Sequence, residues 1–134
     1  MRFVKISQKE LAEQRKLYES VMSNACHGLF FREGTVFGPA IADEAIKDRE
    51  HYFDKVKEGL IDRGWVEDIT FDNNIITAWG SAEVSEGHQS TCHRLRGILR
   101  YIYQIYSNER LYCSETQCAS SGAETCVFSI ETIE

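Results

Sequence analysis

Proline is all but missing from this sequence, with Pro39 as its single example, and the nine glycines are scattered. That excludes a proline-rich linker, a collagen-like repeat and a low-complexity segment. Basic charge is also in short supply: 15 Lys and Arg face 21 Asp and Glu, for a formal net charge of −6. The field that a phosphate backbone or an anionic lipid surface attracts is therefore lacking, and nucleic acid is not an expected partner. Long apolar runs are absent too, so no membrane span is expected, and Met1 to Ile6 lacks the apolar stretch of a signal peptide. The chain reads as cytoplasmic.

The cysteines are the first informative presence. Cys26, Cys92, Cys113, Cys118 and Cys126 form an odd set in a chain of 134 residues, 43% apolar, which is large enough to build one core without disulfide staples. Metal or thiol chemistry is the better expectation. With 27% charged residues and no break in composition, residues 1–134 read as a single domain.

Ser7-Gln8-Lys9-Glu10 has the form of a capping box, and Leu11, Tyr18, Val21, Met22 and Ala25 recur on one helical face, predicting a first helix from Ser7 to Cys26. The phenylalanines and glycines of Leu29 to Gly38 predict backbone turns with apolar contacts rather than a long regular element. Gly38-Pro39 opens a second helix, with Ile41, Ala45, Ile46, Phe53, Val56 and Leu60 at helical spacing up to Arg63-Gly64. From Trp65 the period becomes two: Ile69 and Phe71, a turn at Asp72-Asn73-Asn74, and Ile75 to Val84 predict a hairpin. Cys92, Leu95, Ile98, Leu99, Ile102, Tyr103 and Tyr106 form an amphipathic stripe, so a third helix is predicted from Ser90 to Tyr106 with Cys92 in its first turn. Leu111 to Glu115 and Glu124 to Thr132 complete the order as strands around a Ser120-Ser121-Gly122 turn. This order predicts an α+β domain, an antiparallel sheet of about four strands packed with three helices.

Chemistry concentrates in the C-terminal half. A hairpin brings Cys118 and Cys126 together, Glu115 lies in the same hairpin, and Cys92 arrives from the start of a helix, where a thiol's pKa falls. Tetrahedral zinc accepts thiolate and carboxylate ligands, so these four residues suit a closed structural site. Three thiolates, one carboxylate and Zn²⁺ sum to −2, which calls for nearby N–H groups or a cation, Arg94 and Arg96 being nearest in sequence. Two alternatives stand beside this set: His88 or His93 in place of Glu115, and buried free thiols that bind no metal.

The run Cys92-His93-Arg94-Leu95-Arg96-Gly97-Ile98-Leu99, then Leu111-Tyr112-Cys113-Ser114-Glu115-Thr116-Gln117-Cys118, then Gly122-Ala123-Glu124-Thr125-Cys126-Val127-Phe128-Ser129-Ile130 resembles the C-terminal signature of the 4-vinyl reductase (V4R) domain family. A Cys opens an amphipathic helix containing Gly; Glu-x-x-Cys, seven residues and Cys-x-Phe follow. Upstream, Gly28-Leu29-Phe30-Phe31-Arg32-Glu33-Gly34 and Gly38 resemble the family's glycine-rich approach to its second helix. The resemblance implies structural zinc on Cys92, Glu115, Cys118 and Cys126, a fold shared with small-molecule sensor domains and vesicle-tethering subunits, and an apolar ligand cavity beside the metal. It is to the free-standing, hydrocarbon-binding type. The family's aromatic sensors hold a phenolic hydroxyl with a His and a Trp, which no motif places here.

Candidate walls of such a cavity are Phe30, Phe31, Phe37, Trp65, Trp79, Tyr101, Tyr103 and Cys113, although plain core packing is the commoner role for each. Cys113 shares a strand face with Leu111 and Glu115 and stands outside the metal pattern. There is no phosphate loop, nucleophile elbow or dinucleotide fingerprint, and the four histidines form no catalytic pattern. The leading expectation is a non-catalytic domain that binds or senses an aromatic or hydrocarbon-like small molecule, with structural zinc, as a homodimer. The alternatives are a tetrapyrrole-binding enzyme or accessory factor, and an assembly or scaffold subunit.

Overall fold

The computed structural model describes residues 1–85 and 89–133. Its helices are α1 (Gln8–Met22), α2 (Cys26–Arg32), α3 (Gly34–Phe37), α4 (Pro39–Ala45), α5 (Tyr52–Asp62) and α6 (His93–Ser107); its strands are β1 (Asp68–Asp72), β2 (Ile75–Trp79), β3 (Leu111–Gln117) and β4 (Cys126–Thr132). The strands form one antiparallel sheet in the order β1-β2-β4-β3. The α+β architecture expected from the sequence is therefore the one observed.

The amphipathic stripe of α6 makes the core. Leu95, Ile98, Leu99 and Ile102 are fully buried against Ile69, Ile76, Ala78, Cys113 and Phe128 of the sheet face. Burying each such large apolar side chain contributes about 1.5–3 kcal/mol. Asn108, in the left-handed region, ends the helix.

Four boundaries differ from expectation for local reasons. The capping box forms with both of its hydrogen bonds, but α1 stops at Met22 because Ser23 takes φ 54°, and a 3₁₀ turn (Ser23–Ala25) re-aims the chain into α2. The segment expected to be turns is instead the helix pair α2 and α3, because its glycines serve close packing: a Cβ on Gly34 would lie 2.1 Å from the Gly97 carbonyl carbon, and one on Gly97 would lie 1.9 Å from the Phe31 carbonyl oxygen. The expected second helix breaks at Asp48 (φ −124°, ψ 79°), inside the polar run Lys47-Asp48-Arg49-Glu50-His51, and resumes as α5. Strand β2 ends at Trp79 because Gly80 turns with φ 63°.

Helix α1 buries none of its residues fully. Its partly covered side carries Arg15 and Glu19 as well as Leu11 and Ala12, while Leu17 and Val21 stand 60% and 77% exposed. Of the expected apolar face, Leu11 is partly covered and Tyr18 stacks on Phe30, whereas Val21, Met22 and Ala25 are exposed. The chain exposes 8282 Å², whereas a monomer of 15.4 kDa is expected to expose about 7,200 Å².

Candidate metal centre and its surroundings

Cys92 is the N-cap residue of α6, one position ahead of the expected first turn. Glu115 lies on β3 just before a register shift, Cys118 follows the end of β3, and Cys126 opens β4. A 3₁₀ turn (Ala119–Ser121), closed by Gly122 at φ 98°, folds Cys118 back against Cys126. These four side chains converge, with one ligand atom from each all within 4.8 Å of one another. All three cysteines are free and buried.

The geometry fits a tetrahedral divalent ion. The three Sγ–Sγ distances are 3.6 Å, 3.9 Å and 4.0 Å, and a tetrahedron with Zn–S bonds near 2.3 Å has edges of about 3.8 Å. A disulfide would need about 2.0 Å. Glu115 Oε2 is buried with no hydrogen-bond partner, and a carboxylate oxygen of this residue lies within 4.8 Å of each sulfur. If loaded, Cys92, Glu115, Cys118 and Cys126 would hold the ion, which would supply cross-linking and charge neutralisation.

Without the ion the four acids titrate against one another. The Cys118 thiolate accepts from the thiols of Cys126 and Cys92, which holds Cys118 well below the usual thiol range. The same contacts raise Cys126 to about 12 and push Cys92 far up. Burial and then the Cys118 charge lift Glu115 to about 8.

The sulfurs take their donors from uncharged groups. Ala119 N–H donates to Cys126 Sγ at 3.4 Å, Ser81 Oγ lies 3.2 Å from Cys92 Sγ, and Thr91 Oγ1 lies 3.9 Å from Cys118 Sγ. The arginines expected to help are engaged elsewhere. Arg94 donates to Glu33, Glu83 and Gln14, and Arg96 to the Cys113 carbonyl and Tyr112. His93 stacks on His27 at 4.0 Å, away from the sulfurs, and burial lowers it to about 4. His88 lies outside the described residues.

The sequence reading missed the loop that frames the cluster. Glu83, buried, caps α6 from a distance: its carboxylate accepts the N–H groups of Arg94 and Leu95 at 3.1 Å and 2.7 Å. A polar chain then runs from the turn after Cys118 to α1. Thr91 meets Ser120 at 2.6 Å, Ser120 accepts from Ser85 N–H at 2.9 Å, and Arg15 donates to Ser85 at 2.8 Å and to Glu19 at 2.9 Å.

The expected cavity walls do not share one space. Phe30 is buried beneath Tyr18 and Arg94. Phe31 and Cys113 meet through Arg96. Phe37 and Trp65 pair at 5.4 Å, and Tyr101 packs on Gly38 and donates to Asp43. Tyr103 belongs to an aromatic cluster with Phe53 and Phe71. Trp79, next to buried Ala78 in β2, points to the opposite sheet face and is 39% exposed. A crease lined by Leu11, Arg15, Phe30, Glu83, Thr91 and Arg94 is too narrow to admit water.

No protein-family model and no curated protein matches the sequence. Solved structures do. The phenol-responsive sensory domain of the transcription activator PoxR, crystallised with phenol, superposes with a TM-score of 0.76 at 16% identity, over 98% of this chain and 77% of that one. A vinyl-4-reductase family protein from Methanocaldococcus jannaschii superposes with a TM-score of 0.69, also at 16% identity, over 99% of this chain and 85% of the other. The chain has the V4R-type fold. Among the described residues no helix is long and apolar enough to cross a membrane.

Proposed function

We propose that this chain is a non-catalytic, cytoplasmic small-molecule-binding or sensing domain for an apolar or aromatic ligand, held together by structural zinc on Cys92, Glu115, Cys118 and Cys126, and working as a homodimer. The observation that carries this is a three-sulfur cluster of tetrahedral dimensions, with a free carboxylate oxygen, inside a fold shared with a phenol-responsive sensory domain. The Phe37–Trp65 pair, half open to solvent, and the Phe31–Cys113 corner are the two aromatic walls best placed to meet a ligand.

The dimer reading rests on α1. The exposed area exceeds that of a typical monomer of this mass by about 1,100 Å², and each partner of a standard interface covers about 800 Å². Leu17, Val21 and the leading residues Phe3, Val4 and Ile6 are the exposed apolar groups there. The polar chain from Ser120 through Ser85 to Arg15 links the metal loop to this helix.

Native mass spectrometry with an elemental assay tests the reading. One zinc per chain, a mass of two chains and a retained small molecule are expected. A metal-free monomer that fails to take up zinc would overturn it.

A further inference from the structure

Helix α6 presents Arg96 and Arg100, one turn apart, to the corner between α2 and β3. Both guanidinium groups lie on the Phe31 ring, 4.0 Å and 4.7 Å from its centroid, with Tyr112 closing the side at 6.0 Å from Phe31. Arg96 Nη1 donates to the Cys113 carbonyl at 3.2 Å and meets Tyr112 Oη at 3.4 Å. Arg100 Nε is buried and donates to nothing.

The other partly or fully buried arginines of this acidic chain have carboxylates. Arg15 pairs with Glu19, and Arg94 with Glu33 and Glu83. Among the described residues neither Arg96 nor Arg100 makes an ion pair, in a chain where acids outnumber bases 21 to 15. A cation–π contact accounts for one guanidinium on the ring. It does not account for a second positive charge beside the first, nor for a buried N–H without an acceptor. An arginine pair next to an aromatic wall suits an oxyanion, since guanidinium forks match carboxylate and phosphate oxygens.

We propose that Arg96 and Arg100 form an oxyanion site, and that the small molecule bound here carries an acidic group whose apolar body rests on Phe31. This rests on the small-molecule reading and adds the ligand's charge to it. Arg96 stays anchored to the Cys113 carbonyl while its remaining N–H groups, with Arg100 Nε, receive the anion.

The test uses the full chain with its metal and three probes: benzoate, phenol and inorganic phosphate. Arginine Nε–H resonances are followed by NMR during each titration. Benzoate is expected to shift the Arg100 Nε–H signal, and R96Q or R100Q to weaken benzoate binding roughly tenfold or more while leaving phenol affinity in place. R100K keeps the charge without the fork and should bind benzoate at an intermediate level. Benzoate is expected to bind more tightly than phosphate; phosphate binding as tightly would overturn the placing of an apolar body on Phe31. No shift with either anion at about 10 mM overturns the inference, as does unchanged benzoate affinity in both variants. Phenol binding in that case leaves the small-molecule reading standing; loss of phenol binding as well would count against both.

Discussion

Zinc loading of the Cys92, Glu115, Cys118 and Cys126 cluster is expected to depend steeply on pH. At neutral pH the metal-free cluster keeps protons on Cys92, on Cys126 (about 12) and on Glu115 (about 8), and only Cys118 is ionised. Zinc binds the deprotonated forms, so loading releases about three protons, and log K rises by about three per pH unit below pH 8. Each pH unit is then worth about 4 kcal/mol of binding. Because binding to a closed structural site is also folding energy, of order 10 kcal/mol, chelation should lower the melting temperature sharply. The assay is competition against a chelator of known affinity across about pH 6 to 7.5, paired with thermal melting of the loaded and stripped chain. A slope of one or less, or an unchanged melting temperature after complete chelation, would refute the reasoning.

Four further outcomes are expected. Gly97→Ala places a methyl group 1.9 Å from the Phe31 carbonyl oxygen, so urea melts should show a loss of at least about 1–3 kcal/mol, and an unchanged midpoint would contradict the close α2–α6 crossing. Glu83, raised by burial to about 7 from 4.5, holds its proton more tightly folded than unfolded; its contribution is complete below pH 4.5 and lost as pH rises through 7, about 3 kcal/mol in all. Glu83→Gln should flatten that part of the stability profile, as read by denaturant melts across the range. Cys113→Ser buries a hydroxyl in an apolar site and should cost about 1–3 kcal/mol while leaving one zinc per chain by elemental assay; loss of zinc would move Cys113 into the ligand set. Val21→Lys on the outward face of α1 is expected to give a monomer by sedimentation with stability within about 0.5 kcal/mol of that monomer's own reference, whereas an unaltered dimer would place the interface elsewhere.

The parts of the fold written in periodic patterns were legible. Leu95, Ile98, Leu99 and Ile102 recur at three and four residues, and a single helix face is the only way to bury all of them. Ser7 and Glu10 announced their cap because that signal is local. Cys92, Glu115, Cys118 and Cys126 were legible as a candidate set through their spacing and the family resemblance, and the fold brings them together. What escaped depended on non-local contact. Gly34 reads as a turn residue until it is seen to face the Gly97 backbone, and nothing local says that Gly97 in turn faces the Phe31 carbonyl. Glu83 caps a helix that begins ten positions later, a pairing no periodicity encodes. The pattern in α1 defined an apolar face, but it could not say that Val21 and Met22 on that face stay exposed.

The strand order holds a consequence for how the chain reaches this structure. Strand β4, the last of the four strands in chain order, sits between β2 and β3 and is hydrogen-bonded to both. A growing chain that has made the β1–β2 hairpin, α6 and β3 still has two unpaired strand edges and an apolar α6 stripe facing a gap. The same missing strand carries Cys126, so the cluster lacks one of its sulfurs until then. Sheet closure, core closure and completion of the cluster thus coincide in one late, long-range event, which makes folding slow to start and cooperative once begun. Until that event the exposed β2 and β3 edges are the segments most open to mispairing with neighbouring chains.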